Sequence, residues 1–323
     1  MIRFGIDLFS LRSQSWSAFE YLRYCASQDV QVVHFSEPRF LGPLDESHLR
    51  AVRAEATRLG IGIEIGMLSI CPTSKLFDAR QGSAEEQLIR MIRAAKVIGS
   101  PIVRAVLGNR FDRRGDVPME VHIENTVRVL RGVRDVALRE GIRIAIENHA
   151  GDLRACELRS LVEAAGTDFV GVCLDSGNLP LTFDLPMAAL ELLAPYIVTT
   201  HVRDARIWCT EAGAAIAWVR GGEGNIGLEA FLRRLRELKP ECPLQLETIV
   251  IEPRTLDFRL PGFWNAFPAL PAAEFMQYLQ VAEQGVPIAA TGDVAERSAD
   301  RERHDSEASL RYCREILSTQ ESV

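Results

Sequence analysis

Short apolar runs alternate with longer stretches of helical period along most of the chain. The apolar runs are rich in β-branched and aliphatic residues, which is typical of buried parallel strands. The stretches between them repeat apolar residues every three to four positions, and two begin at the capping residues Asp45 and Ser83. Eight runs are predicted as strands, over residues 2–8, 30–36, 61–68, 101–107, 142–147, 169–175, 196–201 and 243–247. Regular alternation of strand and helix predicts an α/β fold of the (β/α)₈ TIM-barrel type with a C-terminal extension.

Three regions interrupt or follow this alternation. Residues 205–226 hold two short apolar runs about a glycine-containing turn, which predicts a hairpin over the barrel mouth. Residues 250–270 are rich in aromatic residues, among them Trp264, which could stack on a sugar or pack on the barrel rim. A helix over residues 271–283 is predicted to complete the barrel. We therefore predict a barrel domain over residues 1–285 and a partly helical C-terminal tail over residues 286–323, where a surface helix, a subunit contact and disorder stay open.

Composition and charge narrow the class of protein. The 323 residues are 47% hydrophobic, which suffices for one large core, and the net charge of −7 argues against a nucleic-acid partner. No apolar run is long enough to span a bilayer and no signal peptide is visible, so we predict no membrane partner. Seven cysteines without pair spacing are typical of reduced thiols, which favours a cytoplasmic location.

The last four predicted strands each end in a residue type that binds divalent cations. In a parallel barrel the carboxyl ends of all strands meet at one mouth, and side-chain alternation places these four residues on the lumen side. Any one of these residues could simply be a solvent-facing polar residue at the end of its strand. Four such residues at equivalent strand ends fit that interpretation less well. Three carboxylates and one imidazole predict a site for one divalent ion, Mn²⁺, Mg²⁺ or Co²⁺. The predicted ligands are Glu147, Asp175, His201 and Glu247.

Such a site is suited to proton transfer beside a carbonyl group. A cation with open positions polarises the carbonyl, and a carboxylate on each side of the substrate can remove and return a proton. We predict Glu147 and Glu247 as the acid and base. His149 lies on the same strand face as Glu147 and could contact the substrate or act as a base. The alternative is a histidine at the barrel rim whose hydrogen bonds are all made within the protein.

Other polar residues near the strand ends are candidates for substrate binding. Arg203 could hold a substrate oxygen or pair with Asp204, and Asn178 could bind hydroxyl groups or form an ordinary turn. Glu64, Arg104 and His34 lie near other strand ends and are weaker candidates individually.

Several short motifs together resemble the xylose-isomerase-like TIM-barrel superfamily, which includes ketose 3-epimerases, inosose dehydratases, hydroxypyruvate isomerases and endonuclease IV. The resemblance implies metal binding by the four predicted ligands, often to Mn²⁺, with the two glutamates as acid and base. The motifs are Ala-Ile-Glu147-Asn-His149, Cys-Leu-Asp175-Ser-Gly-Asn178, His201-Val-Arg-Asp204, Gly-Glu-Gly224-Asn-Ile and Leu-Glu247.

The chain departs from some members of that superfamily. Ketose 3-epimerases carry a histidine where this chain has Asn178 and a substrate-binding arginine where it has Ile207, so ketose 3-epimerisation is disfavoured. Endonuclease IV needs more histidines near strand ends than this chain offers. The motifs also resemble large subunits of C-glycoside deglycosidases, which cleave 3-keto-glycosides by metal-assisted elimination and associate with a small second subunit.

Our first hypothesis is a Mn²⁺-dependent isomerase or epimerase acting on a keto-sugar or related polyol, with Asn178, Arg203 and Trp264 as substrate-binding residues. The second is a lyase of the same family, either a keto-glycoside deglycosidase or a dehydratase. A third is a sugar-binding barrel without turnover, which loss of a ligand would favour, and no ligand is missing. The expected partners are a small sugar or glycoside and either further copies of the chain or a small second subunit.

Overall fold

Eight parallel strands form the central sheet of the computed structural model, which describes residues 3–288 and 298–318. Seven follow one another around the sheet in chain order, and the eighth, β10, pairs with β1. A small antiparallel sheet of three strands lies outside this ring. The strands of the ring are β1 (Phe4–Asp7), β2 (Val32–Phe35), β3 (Gly62–Ser69), β4 (Ile102–Val106), β5 (Arg143–Glu147), β6 (Val170–Asp175), β7 (Ile197–His201) and β10 (Leu244–Leu246). Those of the outer sheet are β8 (Asp204–Cys209), β9 (Ala214–Val219) and β11 (Arg254–Leu256).

The ring closes between β7 and β10 through the backbone of Val202. Its N–H donates to the Gln245 carbonyl at 2.7 Å, and its own carbonyl accepts from the Glu247 N–H at 3.0 Å. The pairing continues the parallel register of the other strands as a bridge from Val202 to Leu246. The predicted TIM barrel is thereby confirmed.

Helices connect the strands and cover the outside of the barrel. Ser83 caps α4 reciprocally with Glu86, as the sequence predicts, and Gly141 in the left-handed region ends α6. Within the described part of the chain, no helix has the length and apolar character that crossing a membrane requires. The helices are α1 (Ala18–Ser27), α2 (Pro38–Leu41), α3 (Glu46–Leu59), α4 (Ala84–Ile98), α5 (Arg110–Arg113), α6 (Met119–Glu140), α7 (Ala155–Ala165), α8 (Pro186–Leu193), α9 (Leu228–Leu238), α10 (Ala272–Glu283) and α11 (Ala299–Ser318).

The predicted hairpin forms from β8 and β9, and it folds toward the mouth of the barrel. β11 pairs with the outer edge of β9, so the segment after the eighth barrel strand completes this small sheet. The indole N–H of Trp218, on β9, donates to the Gly177 carbonyl at 2.8 Å. Because Gly177 lies in the loop after β6, this bond ties the hairpin to the carboxyl end of the barrel.

The C-terminal extension packs back on the barrel through α11. Glu302 accepts hydrogen bonds from the backbone N–H and the hydroxyl of Ser13, both at 2.9 Å, and Asp305 pairs with Arg220 at 2.6 Å. α11 contacts α9 and the outer face of β10, whereas α10 packs mainly against β8 of the hairpin. The expectation that residues 271–283 supply the helix against the eighth strand was therefore wrong, because Tyr278 and Ala282 bury in the apolar cluster of the hairpin. Residues 289–297 and 319–323 of the predicted tail lie outside the described residues.

We predict that α11 belongs to the same folding unit as the barrel. Leu310 is 2% exposed and joins the main core, so Leu310→Ala should lower the free energy of unfolding by about 2–5 kcal/mol in denaturant titrations. His304 is exposed on the same helix, and His304→Ala should change it by less than about 0.5 kcal/mol. Equal effects of the two substitutions would contradict the prediction.

Candidate metal centre

Four buried side chains converge at the carboxyl end of the barrel, and we call them the ligand quartet. Each offers one ligand atom, and these four atoms all lie within 4.8 Å of one another. The four residues are between 0% and 5% exposed. The structure thus brings together the residues that the sequence predicts as ligands. The quartet consists of Glu147, Asp175, His201 and Glu247.

The strand register explains this convergence. Glu147 is paired in register with Cys173, and Asp175 with His201, so the ends of β5, β6 and β7 lie side by side. Alternation along each strand sends aliphatic residues such as Ile146 and Leu174 outward into the core, where both are fully buried. The inward-facing positions are left for the polar residues.

His201 presents one ring nitrogen to the other quartet members. Its Nδ1 lies 3.1 Å from Glu147 Oε2 and 3.2 Å from Glu247 Oε2. Burial disfavours the charged ring, yet the acidic groups around it, Cys173 first and then the two glutamates, raise the pKa of His201 well above its ordinary value. This position therefore attracts positive charge strongly.

Arg104 on β4 contacts the quartet, although it ranked among the weaker sequence candidates. Its Nε donates to Glu147 Oε2 at 2.5 Å, and its Nη1 donates to the Met67 carbonyl at 3.1 Å. Burial would raise the pKa of Glu147, but Arg104 and His201 hold it well below its ordinary value. Glu147 is accordingly an ionised carboxylate with a fixed orientation.

Arg203 inserts its guanidinium group between two quartet carboxylates. Its Nη2 contacts Asp175 Oδ2 and Glu247 Oε2, and its guanidinium carbon lies 4.2 Å from the centre of the Trp218 ring. The alternative pairing with Asp204 was wrong, because Asp204 accepts three backbone N–H groups instead. Burial raises the pKa of Asp175 to about 7, and Arg203 opposes that shift.

Asn178 also lies within the site. Its Nδ2 donates to Glu147 Oε1 at 3.2 Å, and its backbone N–H donates to Asp175 Oδ1 at 2.8 Å. Its side-chain oxygen is buried and meets no hydrogen-bond donor among the described residues. The amide therefore steadies two quartet members and leaves an acceptor for a ligand.

His149 lies beside Glu147 on a partly exposed rim. Its Nδ1 donates to the Gly108 carbonyl at 2.7 Å, since a carbonyl oxygen only accepts, and Nε2 is left as the atom with the lone pair. Burial lowers the pKa of His149 below its ordinary value, although Glu147 opposes the shift. A neutral imidazole with a fixed tautomer is suited to accept a proton.

Trp264 lies apart from the quartet, in a cluster of aromatic rings. It stacks on Phe183 with 5.7 Å between ring centres, and its indole N–H donates to the Phe258 carbonyl at 2.9 Å. Phe183 follows directly after the short helical turn that begins beyond Asn178, so this cluster supports the loop that follows Asp175. The role of Trp264 in substrate binding stays a prediction.

The fully buried Asp7 was missed by the sequence analysis. Its Oδ2 lies 3.4 Å from His201 Nε2 and has no hydrogen-bond partner in the described structure. Asp7 is the last residue of β1, which is the position that Glu147, Asp175 and His201 occupy in their own strands. That shared position was a signal that could have found it.

The charges around the quartet fit a divalent cation. Asp7 and the three quartet carboxylates outnumber the guanidinium groups of Arg104 and Arg203 by two, and the raised pKa of His201 reflects how strongly this acidic surplus favours added positive charge. Uncompensated buried charge is costly, so a cation here would be stabilising. The buried His201 Nδ1 also forms no hydrogen bond in the parts of the chain that are described, so a cation could replace its proton without breaking one. The donor set of three carboxylates and one imidazole suits hard or borderline ions.

A family comparison agrees with the barrel fold. The family model of the xylose isomerase-like TIM barrel matches residues 22–260, which is most of the chain. The chain belongs to this family. The resemblance inferred from the strand-end motifs is confirmed, and the family membership covers every quartet residue.

Two curated proteins are related to the chain at low identity. The uncharacterized protein YihM of Escherichia coli is 24% identical over 277 residues, which cover 86% of this chain and 77% of that protein. A 3-oxo-isoapionate decarboxylase of Pectobacterium atrosepticum is 23% identical over 161 residues, about half of each chain.

Solved structures share the fold at still lower identity. D-psicose 3-epimerase of Clostridium cellulolyticum, solved with D-tagatose, superimposes with a TM-score of 0.66 at 14% identity and covers 98% of this chain and 99% of its own. The IOLI protein, solved with a zinc atom, has a TM-score of 0.64 at 14% identity over the full length of both chains. These similarities establish the barrel fold.

We predict that Mn²⁺ stabilises the protein through the quartet. Ligand present at 100 times its dissociation constant should add about 2.7 kcal/mol to the free energy of unfolding, and removal by a chelator should reverse the gain. Asp175→Asn should abolish this effect without unfolding the chain, because the amide oxygen can still accept the N–H groups of Gly177 and Asn178. Thermal unfolding with and without Mn²⁺ measures both.

Glu64→Gln is the matched control for this prediction. Glu64 is a buried lumen carboxylate that accepts from Thr199 and Gln245, and it belongs to none of the ligand clusters found among the described residues. The Mn²⁺ effect should survive this substitution. Its survival in Asp175→Asn as well would contradict the assignment of the quartet.

Proposed function

We propose that the protein is a divalent-metal-dependent enzyme that moves a proton next to the carbonyl group of a keto-sugar or related polyol, as an isomerase or epimerase. The observation that carries this proposal is the quartet itself, with the proton-accepting His149 at its edge. Membership of the xylose isomerase-like family and the fold shared with a sugar epimerase support the same class of reaction. Mn²⁺ is the proposed ion, since oxygen donors dominate the site.

The quartet would hold the cation, which when bound would polarise the substrate carbonyl and acidify the neighbouring C–H. Glu147 is fixed by Arg104 and Asn178, and Arg104 and His201 hold its pKa well below the ordinary value, which makes it a weak base. Glu247 and His149 are therefore the proposed proton acceptors, and they follow β10 and β5 at the mouth of the barrel. A proton removed on one side and returned on the other changes the stereochemistry or the carbonyl position.

Substrate hydroxyl groups would be held by hydrogen-bonding groups that are still open in the site. Asn178 offers a buried acceptor, and Nε and Nη1 of Arg203 are buried donors with no hydrogen-bond acceptor among the described residues. Satisfying such groups favours a polyol over an apolar ligand. We propose that Trp264 contacts the substrate from the loop above the mouth of the barrel.

A lyase of the same family is the second candidate. The observation that favours it is the pair of departures from the ketose 3-epimerases, Asn178 and Ile207. The related decarboxylase, named for a 3-oxo acid, also belongs to a reaction class in which a bond next to a carbonyl is broken. Both candidates begin by forming a carbanion beside a carbonyl, and they differ in the group that leaves. A cytoplasmic location, and assembly with further copies or a small subunit, remain predictions.

Deuterium exchange tests the proposed reaction directly. In D₂O with Mn²⁺, the wild-type protein should place deuterium on the carbon next to the carbonyl of a ketose such as D-psicose or of a 3-keto-glycoside, as followed by NMR. Glu247→Gln should lower the exchange rate by about 10²-fold to 10⁴-fold because an amide accepts a proton poorly. Glu147→Gln should also lower it, because the site loses a charged ligand for the cation, and the fold should survive in both variants. Wild-type rates in either variant would refute that residue's role.

The products separate the two candidates. A stereoisomer or positional isomer of the substrate supports the isomerase, whereas release of an aglycone, water or carbon dioxide supports the lyase. Mn²⁺ binding with neither exchange nor release across these substrates would favour the third hypothesis, a sugar-binding barrel without turnover.

We predict that His149 acts as a base and contributes little to metal binding. His149→Asn should lower the exchange rate by about 10²-fold to 10⁴-fold, while calorimetry gives an unchanged Mn²⁺ affinity. The base works only when neutral, and burial lowers its pKa, so the wild-type rate should fall with falling pH at a value below 6.5. The variant should lack this acid limb. The control is His48→Asn, because His48 lies on α3 and bonds the Leu41 carbonyl; this substitution should change neither the exchange rate nor the Mn²⁺ affinity.

A further inference from the structure

The lumen directly beneath the quartet contains polar residues that the proposed reaction does not use. Asp7 ends β1 and His34 lies on β2, and both are fully buried against His201. His34 Nδ1 lies 2.9 Å from His201 Nε2, on the side of the ring opposite the quartet. Asp7 Oδ2 lies 3.4 Å from that nitrogen and 3.5 Å from His34 Nδ1. Three strands thus contribute to one compact buried group.

The two ring nitrogens of His201 need different protonation states if the residue is to bind a cation. A neutral imidazole donates through one nitrogen and accepts through the other. To bind a cation, His201 needs its lone pair on Nδ1, which faces the quartet glutamates, and its proton on Nε2. The groups that face Nε2 are the ring nitrogen of His34 and the carboxylate of Asp7, which are both suited to accept that proton.

Asp7 is held so that its charge points at the two rings. Its Oδ1 accepts from the Phe9 N–H at 2.9 Å and from the Ser36 hydroxyl at 3.0 Å, which fixes the carboxylate. Its Oδ2 is then directed toward the nitrogens of His34 and His201. A carboxylate at this distance favours the tautomer of His201 that carries the proton on Nε2.

We propose that His34 is a positioning residue of the metal centre: its Nδ1 accepts the Nε2–H of His201 and so keeps the His201 Nδ1 lone pair directed at the quartet, with Asp7 favouring the same tautomer. The proposal rests on the proposed metal-dependent function. Metal-binding histidines generally donate their second N–H to an acceptor, and losing that acceptor costs about 10-fold to 100-fold in metal affinity. The acceptor in this chain is a second, fully buried histidine.

A second cation between Asp7, His34 and His201 is the competing interpretation of the same contacts, since their ligand atoms also lie within 4.8 Å. A distance of 2.9 Å between two ring nitrogens is that of a hydrogen bond. A cation on each side of His201 would also require the ring to lose both protons. The hydrogen bond is the simpler account, and binding stoichiometry distinguishes the two.

Mn²⁺ titration by calorimetry tests the proposal without any substrate. His34→Leu removes the acceptor and should weaken Mn²⁺ binding by about 10-fold to 100-fold. His34→Asn keeps a side-chain oxygen near the position of Nδ1 and should retain most of the affinity. His122→Leu is the control, because His122 is also buried but bonds Thr73, and it should bind Mn²⁺ like the wild type.

NMR of the ¹⁵N-histidine-labelled wild-type protein loaded with Mg²⁺ provides a second measurement that requires no variant to fold. We expect the proton of His201 on Nε2. A proton on Nδ1 would overturn the proposal, as would wild-type Mn²⁺ affinity in His34→Leu, or two ions per wild-type chain and one in His34→Leu. Equally tight Mn²⁺ binding by the wild type and by His34→Leu would reject only the role of His34. Absence of Mn²⁺ binding by the wild type would reject the metal-dependent function as well.

Discussion

The concentration of buried negative charge at the carboxyl end of the barrel is the constraint on which the site depends. Asp7 and the three quartet acids are buried, and none of these four residues is more than 5% exposed. Burying carboxylates next to one another is unfavourable unless cations or hydrogen-bond donors compensate them. The barrel supplies part of the compensation through Arg104 within β4 and through Arg203 just after β7. The remaining acidic surplus is the basis on which we propose a divalent cation at this mouth.

The elements added to the barrel hold these charged groups in place. Trp218 on the hairpin lies between the guanidinium groups of Arg203 and Arg254, with 4.2 Å and 4.0 Å from each to the ring centre. Cation–π contacts of this kind are strengthened when they are shielded from water. Phe183 lies at the centre of the aromatic cluster and adopts a positive φ of 66° where the loop after β6 ends. Its ring packs this loop against the segment that follows β10. The insertions therefore act on the site through packing as well as by covering it.

The site separates the residues that hold charge from those that can exchange a proton. Glu147 is bound by Arg104 and Asn178, whereas His149 keeps one nitrogen available at the partly exposed rim. Isomerisation and elimination share the first proton transfer, which requires only this common arrangement. Under the proposed function, the reaction that follows would depend on the residues that contact the substrate, and this chain differs from the ketose 3-epimerases at Asn178 and Ile207. One barrel fold can thus support different reaction outcomes.

The amino-acid sequence by itself determined the eight strands, the hairpin and the quartet. These features depend on local periodicity and on one rule, that the carboxyl ends of parallel strands meet, so Glu147, Asp175 and His201 could be predicted from their positions at strand ends. The sequence also indicated that Asn178 and Arg203 lie near them, because both follow a ligand by two or three residues.

Only the tertiary structure decided which groups surround the quartet. His34 and His201 are 167 residues apart, and Glu302 reaches Ser13 across 289 residues, so neither contact leaves a periodic signal in the chain. The partner of Arg203 could not be predicted for the same reason, since its sequence neighbour Asp204 accepts hydrogen bonds from backbone N–H groups of the loop after β9. Side-chain pairing inside a barrel depends on strand register and on rotamers, which are fixed when the core packs and not by the residues adjacent in sequence.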